Sequence, residues 1–190
     1  MAAVDVGAER AGRPSTLGVG TVTFLASELM FFSGLFAAWF SLRSANDDWP
    51  PEGVELAVLQ TAAATAVLIG SSLTVHKAHR AAEAGDRAST VRWLLVTAAL
   101  GLLFLTNQAV EYATVDFTMS THAYGSMFFL LTGFHGIHVL AGVGAMVVVA
   151  WVVSGRSRAS LDQTVMVTSY YWHFVDVVWV AMFATIYLIS

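Results

Sequence analysis

The sequence predicts an all-α integral membrane protein: a bundle of five transmembrane helices, N-terminus cytoplasmic and C-terminus external. Three observations predict it. Five apolar runs each reach the roughly 20 residues that a bilayer-spanning helix needs. Only 12% of the 190 residues are charged, where a soluble domain carries about 25%. The basic residues also fall almost wholly in alternate connections.

The first run, Leu17–Leu42, follows residues 1–16, which read as a short cytoplasmic tail. That tail, "MAAVDVGAERAGRPST", has no charged segment leading into a short apolar core. No signal peptide is expected, and the Arg- and Ser-rich, acid-poor pattern of a transit peptide is missing too. Residues 17–190 then make one five-helix transmembrane domain. The second run, Val54–His76, follows "RSANDDWPPEG", where Pro50 and Pro51 block helix continuation. The third, Val91–Tyr112, follows "KAHRAAEAGDRAST"; the fourth, Tyr124–Val153, follows "ATVDFTMSTHA"; the fifth, Val165–Ile189, follows "SGRSRASLDQT". Small residues crowd the second run ("TAAATAVLIGSS") and the fourth ("TGFHGIHVLAGVGA"). In lipid such stretches serve close helix–helix approach. Trp49, Tyr112, Tyr124 and Trp151 are expected as interfacial anchors, and Trp39, Trp172 and Trp179 as deeper packing residues.

Orientation follows from Lys and Arg. Arg10 and Arg13, then Lys77, Arg80, Arg87 and Arg92, then Arg156 and Arg158 place eight of the nine basic residues on one side. Only Arg43 lies on the other, beside the acidic Asp47, Asp48, Glu52 and Asp116. The basic second loop suits an orienting role or anionic lipid headgroups, and orientation accounts for it without a ligand. The chain has no cysteine, which excludes disulfides, thiolate metal sites and a cysteine nucleophile. A net charge of −4 without a basic run gives no sign of nucleic-acid binding.

Ionisable residues inside the spans carry the functional signal, because they are expensive in lipid. Glu28 lies eleven residues into the first run, His135 and His138 eleven and fourteen into the fourth, and His173 and Asp176 eight to eleven into the fifth. At about 1.5 Å per residue these fall near one level. On the fifth helix Ser169, His173, Asp176, Val180, Ala184 and Tyr187 share a stripe about 80° wide. His135 and His138 share a face of the fourth. The expected result is a convergent polar layer of Glu28, His135, His138, His173 and Asp176, with Trp172 and Trp179 beside it. An unpartnered Glu28 in that layer is expected to be neutral. Asn107, Gln108 and Glu111 form a second cluster at the outer end of the third run. Four readings of the layer stand open. A di-metal carboxylate site lacks carboxylates, since about four are needed. Bis-histidine haem needs two facing histidines. A proton or ion path needs a continuous chain of polar groups. Inter-helix hydrogen bonding, beside a bound lipid, needs only what is present.

Four segments in order, "ASELMFFSGLFAAWF", "LTNQAVEY", "YGSMFFLLTGFHGIHVLAGV" and "YYWHFVDVVWVAMFATIYLI", resemble subunit III of the haem-copper respiratory oxidases, in a five-helix bacterial form. The resemblance implies a non-redox accessory subunit of a cytochrome c oxidase. Such a chain has no catalytic residue, metal, haem or copper of its own; the haem and copper sit in its partner. The implied partners are oxidase subunits I and II and structural phospholipids, with a larger respiratory supercomplex left open. The implied role is to pack on subunit I, bind lipid, sustain proton uptake and protect the oxidase during turnover, in the bacterial plasma membrane. The enzyme is the whole complex, a proton-translocating oxidoreductase. The family's carbodiimide-reactive carboxylate matches Glu28, its third-span carboxylate Glu111, its paired histidines His135 and His138, and its last-helix motif Trp172, His173, Asp176 and Trp179. The long family form has seven spans, and this chain starts at what corresponds to the third. One wall of that form's lipid cleft is therefore absent from the chain or supplied by a partner. Thr121 and His122 stand where many relatives carry aspartate and glycine. A quinol oxidase subunit or a nitric-oxide-reductase-associated homologue shares the same pattern. An independent proton or ion translocator, or a b-type cytochrome, is the alternative of a different class.

Overall fold

A computed structural model describes residues 16–155 and 161–189. The tail before residue 16, with Arg10 and Arg13, and the loop holding Arg156 and Arg158 lie outside the described residues. Among those described, five helices are long and apolar enough to cross a membrane: α1 Thr16–Ala45, α2 Val58–Glu83, α3 Arg87–Thr114, α4 Ala123–Gly155 and α5 Leu161–Phe183. A π-helical turn, Ala184–Leu188, extends α5.

The helices overrun the apolar runs at several ends. α2 continues to Glu83 and α3 starts at Arg87, so the basic loop is mostly helix. The turn between them is sharp. Gly85 sits at φ +74°, a left-handed conformation that suits glycine. Its N–H reaches the Ala82 carbonyl at 2.9 Å and the Asp86 N–H reaches Ala81 at 2.9 Å, closing the α2 C-terminus as a Schellman pair. Asp86 then caps α3 by accepting from the Ser89 N–H at 3.0 Å. The hydrogen bonds from Ser89 hold the Asp86 carboxyl below its usual range. At its other end α2 begins at Val58, because 54–57 remain in the loop.

α2, α3, α4 and α5 pack as a ring of neighbours, with α2 against α5 closing it. α1 lies outside this ring and packs chiefly on α4 and α5. Its hydroxyls are satisfied locally: Thr21 donates to the Leu17 carbonyl at 2.9 Å, Thr23 to Val19 at 3.0 Å and Ser33 to Leu29 at 2.7 Å. Lipid offers no partners, so these bonds let an exposed helix carry polar residues.

The core centres on Trp172, which is fully buried. Two glycines make its slot. A Cβ on Gly101 would stand 2.6 Å from Trp172 Cη2, and one on Gly142 would stand 2.8 Å from Cε3 and Cζ3. α3 and α4 thus approach the indole with backbone alone, the close approach that small residues permit. The structure divides the expected α5 stripe. Val180 faces outward at 45% exposure, whereas Tyr187 is buried. Tyr187, within the π turn, thus stays on the buried side that the stripe assigned to it, and Val180 departs from it.

The anchor assignments divide. Trp151, at 77% exposure, faces the surroundings as an anchor does. Tyr124 is buried instead, packed 5.2 Å from both Trp39 and Trp49. Folding the 46–57 loop back over α1 and α4 turns these rings into a protein-internal cluster.

Candidate functional site

The polar residues expected in one layer are divided among three contacts and an aromatic cage. The first contact joins α1 to α4. Glu28 Oε2 lies 2.9 Å from His138 Nε2, and His138 Nδ1 lies 2.7 Å from the Phe134 carbonyl. A carbonyl only accepts, so Nδ1 carries a hydrogen. One further proton lies between Nε2 and the carboxyl. Glu28 is thus partnered by an imidazole of the facing helix. Wherever that proton sits, the pair has no net charge, which is what a half-buried membrane site demands. Phe32 packs edge-on to His138 at 5.1 Å, and Tyr171 donates to the His138 carbonyl at 3.0 Å.

The second contact joins α2 to α5. The Ser72 hydroxyl donates to Asp176 Oδ2 and lies 3.2 Å from His173 Nδ1. Its single hydrogen goes to the carboxyl, so His173 Nδ1–H donates to the hydroxyl oxygen. His173 and Asp176 therefore meet through a serine of the facing helix. The same seam continues along the two helices. Trp172 Nε1 donates to Ser71 Oγ at 2.8 Å and Trp179 Nε1 to Thr65 Oγ1 at 2.9 Å.

The third contact is the Glu111 cluster. Buried Glu111 accepts from Tyr187 at 2.8 Å, from Gln108 at 3.2 Å and from Thr61 at 3.3 Å. Asn107 is not part of it. Asn107 Oδ1 accepts from Gln60 Nε2 at 2.8 Å on a neighbouring face of α3. A partly open cleft of about 320 Å³ adjoins Glu111, lined also by Glu55, Thr114 and Asp116.

His135 joins none of these. It is 1% exposed, 4.9 Å from the Trp179 ring and 5.8 Å from Phe104. Positions i and i+3 share a broad face, but that separation suffices to send His135 into the core and His138 to the α1 seam. Both nitrogens of His138 are engaged, by Glu28 and the Phe134 carbonyl, and His173 Nδ1 is engaged by Ser72. Among the described residues no three His, Asp or Glu side chains converge as metal ligands would. The residues that complete these contacts, Thr61, Thr65, Ser71, Ser72, Tyr171 and Tyr187, were not singled out as polar partners from the sequence. The signal was present in "TAAATAVLIGSS", whose hydroxyls recur along one face of α2.

A groove of about 590 Å³ runs beside the first contact, between the start of α1 and the faces of α4 and α5. Leu17, Gly20, Phe24, Ala145, Val167 and Tyr171 line it, so it is almost wholly apolar.

Comparison with known proteins agrees in detail. The family described as cytochrome c oxidase subunit III matches residues 6–190. The probable cytochrome c oxidase subunit 3 of Mycobacterium tuberculosis H37Rv is 45% identical over 183 residues, spanning 93% of this chain and 90% of that protein. Cytochrome c oxidase subunit 3 of Corynebacterium diphtheriae is 45% identical over 185 residues, 94% of this chain and 90% of the relative. That of Thermostichus vulcanus is 36% identical over 174 residues, 90% and 87% respectively. The match runs across all five helices, and the chain belongs to the cytochrome c oxidase subunit III family.

Proposed function

We propose that the chain is the non-redox accessory subunit III of a haem-copper terminal oxidase, seated in the plasma membrane with its N-terminus cytoplasmic. It packs against subunit I, holds phospholipid and sustains proton uptake into that partner. The observation that carries this reading is the combination at α1. An apolar groove lies beside a net-neutral Glu28–His138 pair, on a helix whose surface is mostly unburied inside the chain. Acyl chains suit the groove, and a protein partner suits the rest of α1. The relatives' names speak of cytochrome c oxidase. That favours cytochrome c over quinol as the electron donor of the complex.

The test is purification of the oxidase with and without this subunit. The chain should co-purify with subunits I and II. Its removal should slow turnover and shorten the time for which the enzyme stays active. The chain alone should give no Soret absorption. A stoichiometric Soret band, or proton flux by the isolated chain in liposomes, would overturn the proposal in favour of a b-type cytochrome or an independent translocator.

A further inference from the structure

The α2–α3 hairpin carries an arrangement that the Glu28 groove does not explain. Thr74 and Thr97 face each other at 2.7 Å, and Thr97 also bonds back to the Trp93 carbonyl at 2.8 Å. This sets the register of the hairpin. One turn nearer the loop, Lys77 therefore stands across from Trp93, with Nζ 4.5 Å from the ring centroid. Arg92 approaches the same ring, its Cζ at 5.5 Å. The two cations are separated by no more than the sum of those distances.

Neither cation has an ion-pair partner among the described residues. Arg92 lies 3.5 Å from Ser89 Oγ and its charge adds a minor pull on the Asp86 carboxyl, which is itself engaged in capping α3. Both cations are exposed, and Trp93 is half-buried between the helices. Two exposed cations beside one ring leave this edge of the hairpin positive, and an anionic headgroup at that level is attracted to both. Lys77 directly follows the second apolar run, and Arg92 opens the third. That is the depth of the lipid phosphates, where tryptophan also concentrates. Exposed cations on a ring at headgroup depth suit an anionic lipid headgroup.

We propose that Lys77 and Arg92, aligned on the Trp93 ring, form a binding site for the phosphodiester of an anionic membrane lipid. It lies on α2 and α3, apart from the groove that α1, α4 and α5 form, and stands whether or not that groove holds lipid.

The test uses the full chain in neutral detergent, titrated with phosphatidylglycerol or phosphatidylcholine and read by native mass spectrometry. The first phosphatidylglycerol should bind more tightly than phosphatidylcholine, by about fivefold for each cation. K77Q/R92Q should lose that preference while binding phosphatidylcholine unchanged. K77R/R92K, which keeps both charges, should retain it. An unchanged preference in K77Q/R92Q would overturn the site, as would its loss in K77R/R92K, which would point to packing rather than charge. Inorganic phosphate, at ionic strength matched with chloride, should not displace the lipid. Displacement would overturn the lipid reading in favour of a soluble phosphate.

Discussion

α1 and the ring of α2 to α5 are both apolar helical structure, yet they are held by different means. In the ring, backbones close on Trp172 through Gly101 and Gly142, and indoles donate across helices to Ser71 and Thr65. α1 buries only Phe32 and Trp39, sets Phe31, Phe32 and Trp39 against rings of α4, and adds the polar pair Glu28–His138. The comparison teaches that apolar character alone does not place a helix. Lipid is as good a home for leucine as another helix is, so shape and polar pairing decide.

The largest break should come from the slot. Trp172→Ala should destabilise the bundle by about 3–5 kcal/mol, and Gly142→Ala by about 1–3 kcal/mol through overpacking. In the Trp172→Ala background Gly142→Ala should be nearly neutral, because the ring it strikes is gone. Denaturation in mixed micelles of the two single variants and the double variant measures this coupling. Next is Ser72→Ala, which leaves buried Asp176 without its hydroxyl donor and His173 without its acceptor. A loss of about 1–3 kcal/mol is expected, read by the same assay. Glu28→Ala should be milder for the ring but specific to α1. Inter-helix bonds in membranes average about 0.6 kcal/mol and reach about 1.7. Proteolysis in detergent should cut α1 free sooner, whereas Glu28→Gln, which still donates to His138, should remain protected.

The smallest effect belongs to Asp86. Its carboxyl is held below the ordinary range by Ser89, so the ionised form is the one favoured by folding. Its contribution is present above the ordinary carboxylate pKa and is lost as pH falls through the lowered value. Wild type and Asp86→Ala should therefore differ slightly in melting temperature near neutrality and converge in acid.

The five helices were legible because length and hydropathy are local properties of the chain. Their ends were less so. Lys77 to Glu83 are polar and read as loop, yet they continue α2 beyond the apolar run, since a helix need not stop where lipid does. The identities of the ionisable residues were legible; their partners were not. Whether His138 meets Glu28 or His173 depends on which helices are neighbours, and no spacing within one helix fixes that. Ser72 shows the same limit. As a small residue in "LIGSS" it reads as a packing position, and only the facing α5 makes it the bridge between His173 and Asp176. Tyr187 was legible as an inward position of the α5 stripe, but its partner Glu111, on another helix, was not.

The Glu28–His138 pair has a consequence for an energised membrane. A lone charge buried across the membrane field gains or loses about 2.3 kcal/mol per 100 mV, enough to loosen a contact of this strength. A carboxyl and an imidazole sharing one proton offer that field no net charge to pull. The attachment of α1 is thereby less sensitive to voltage than a lone buried charge would make it.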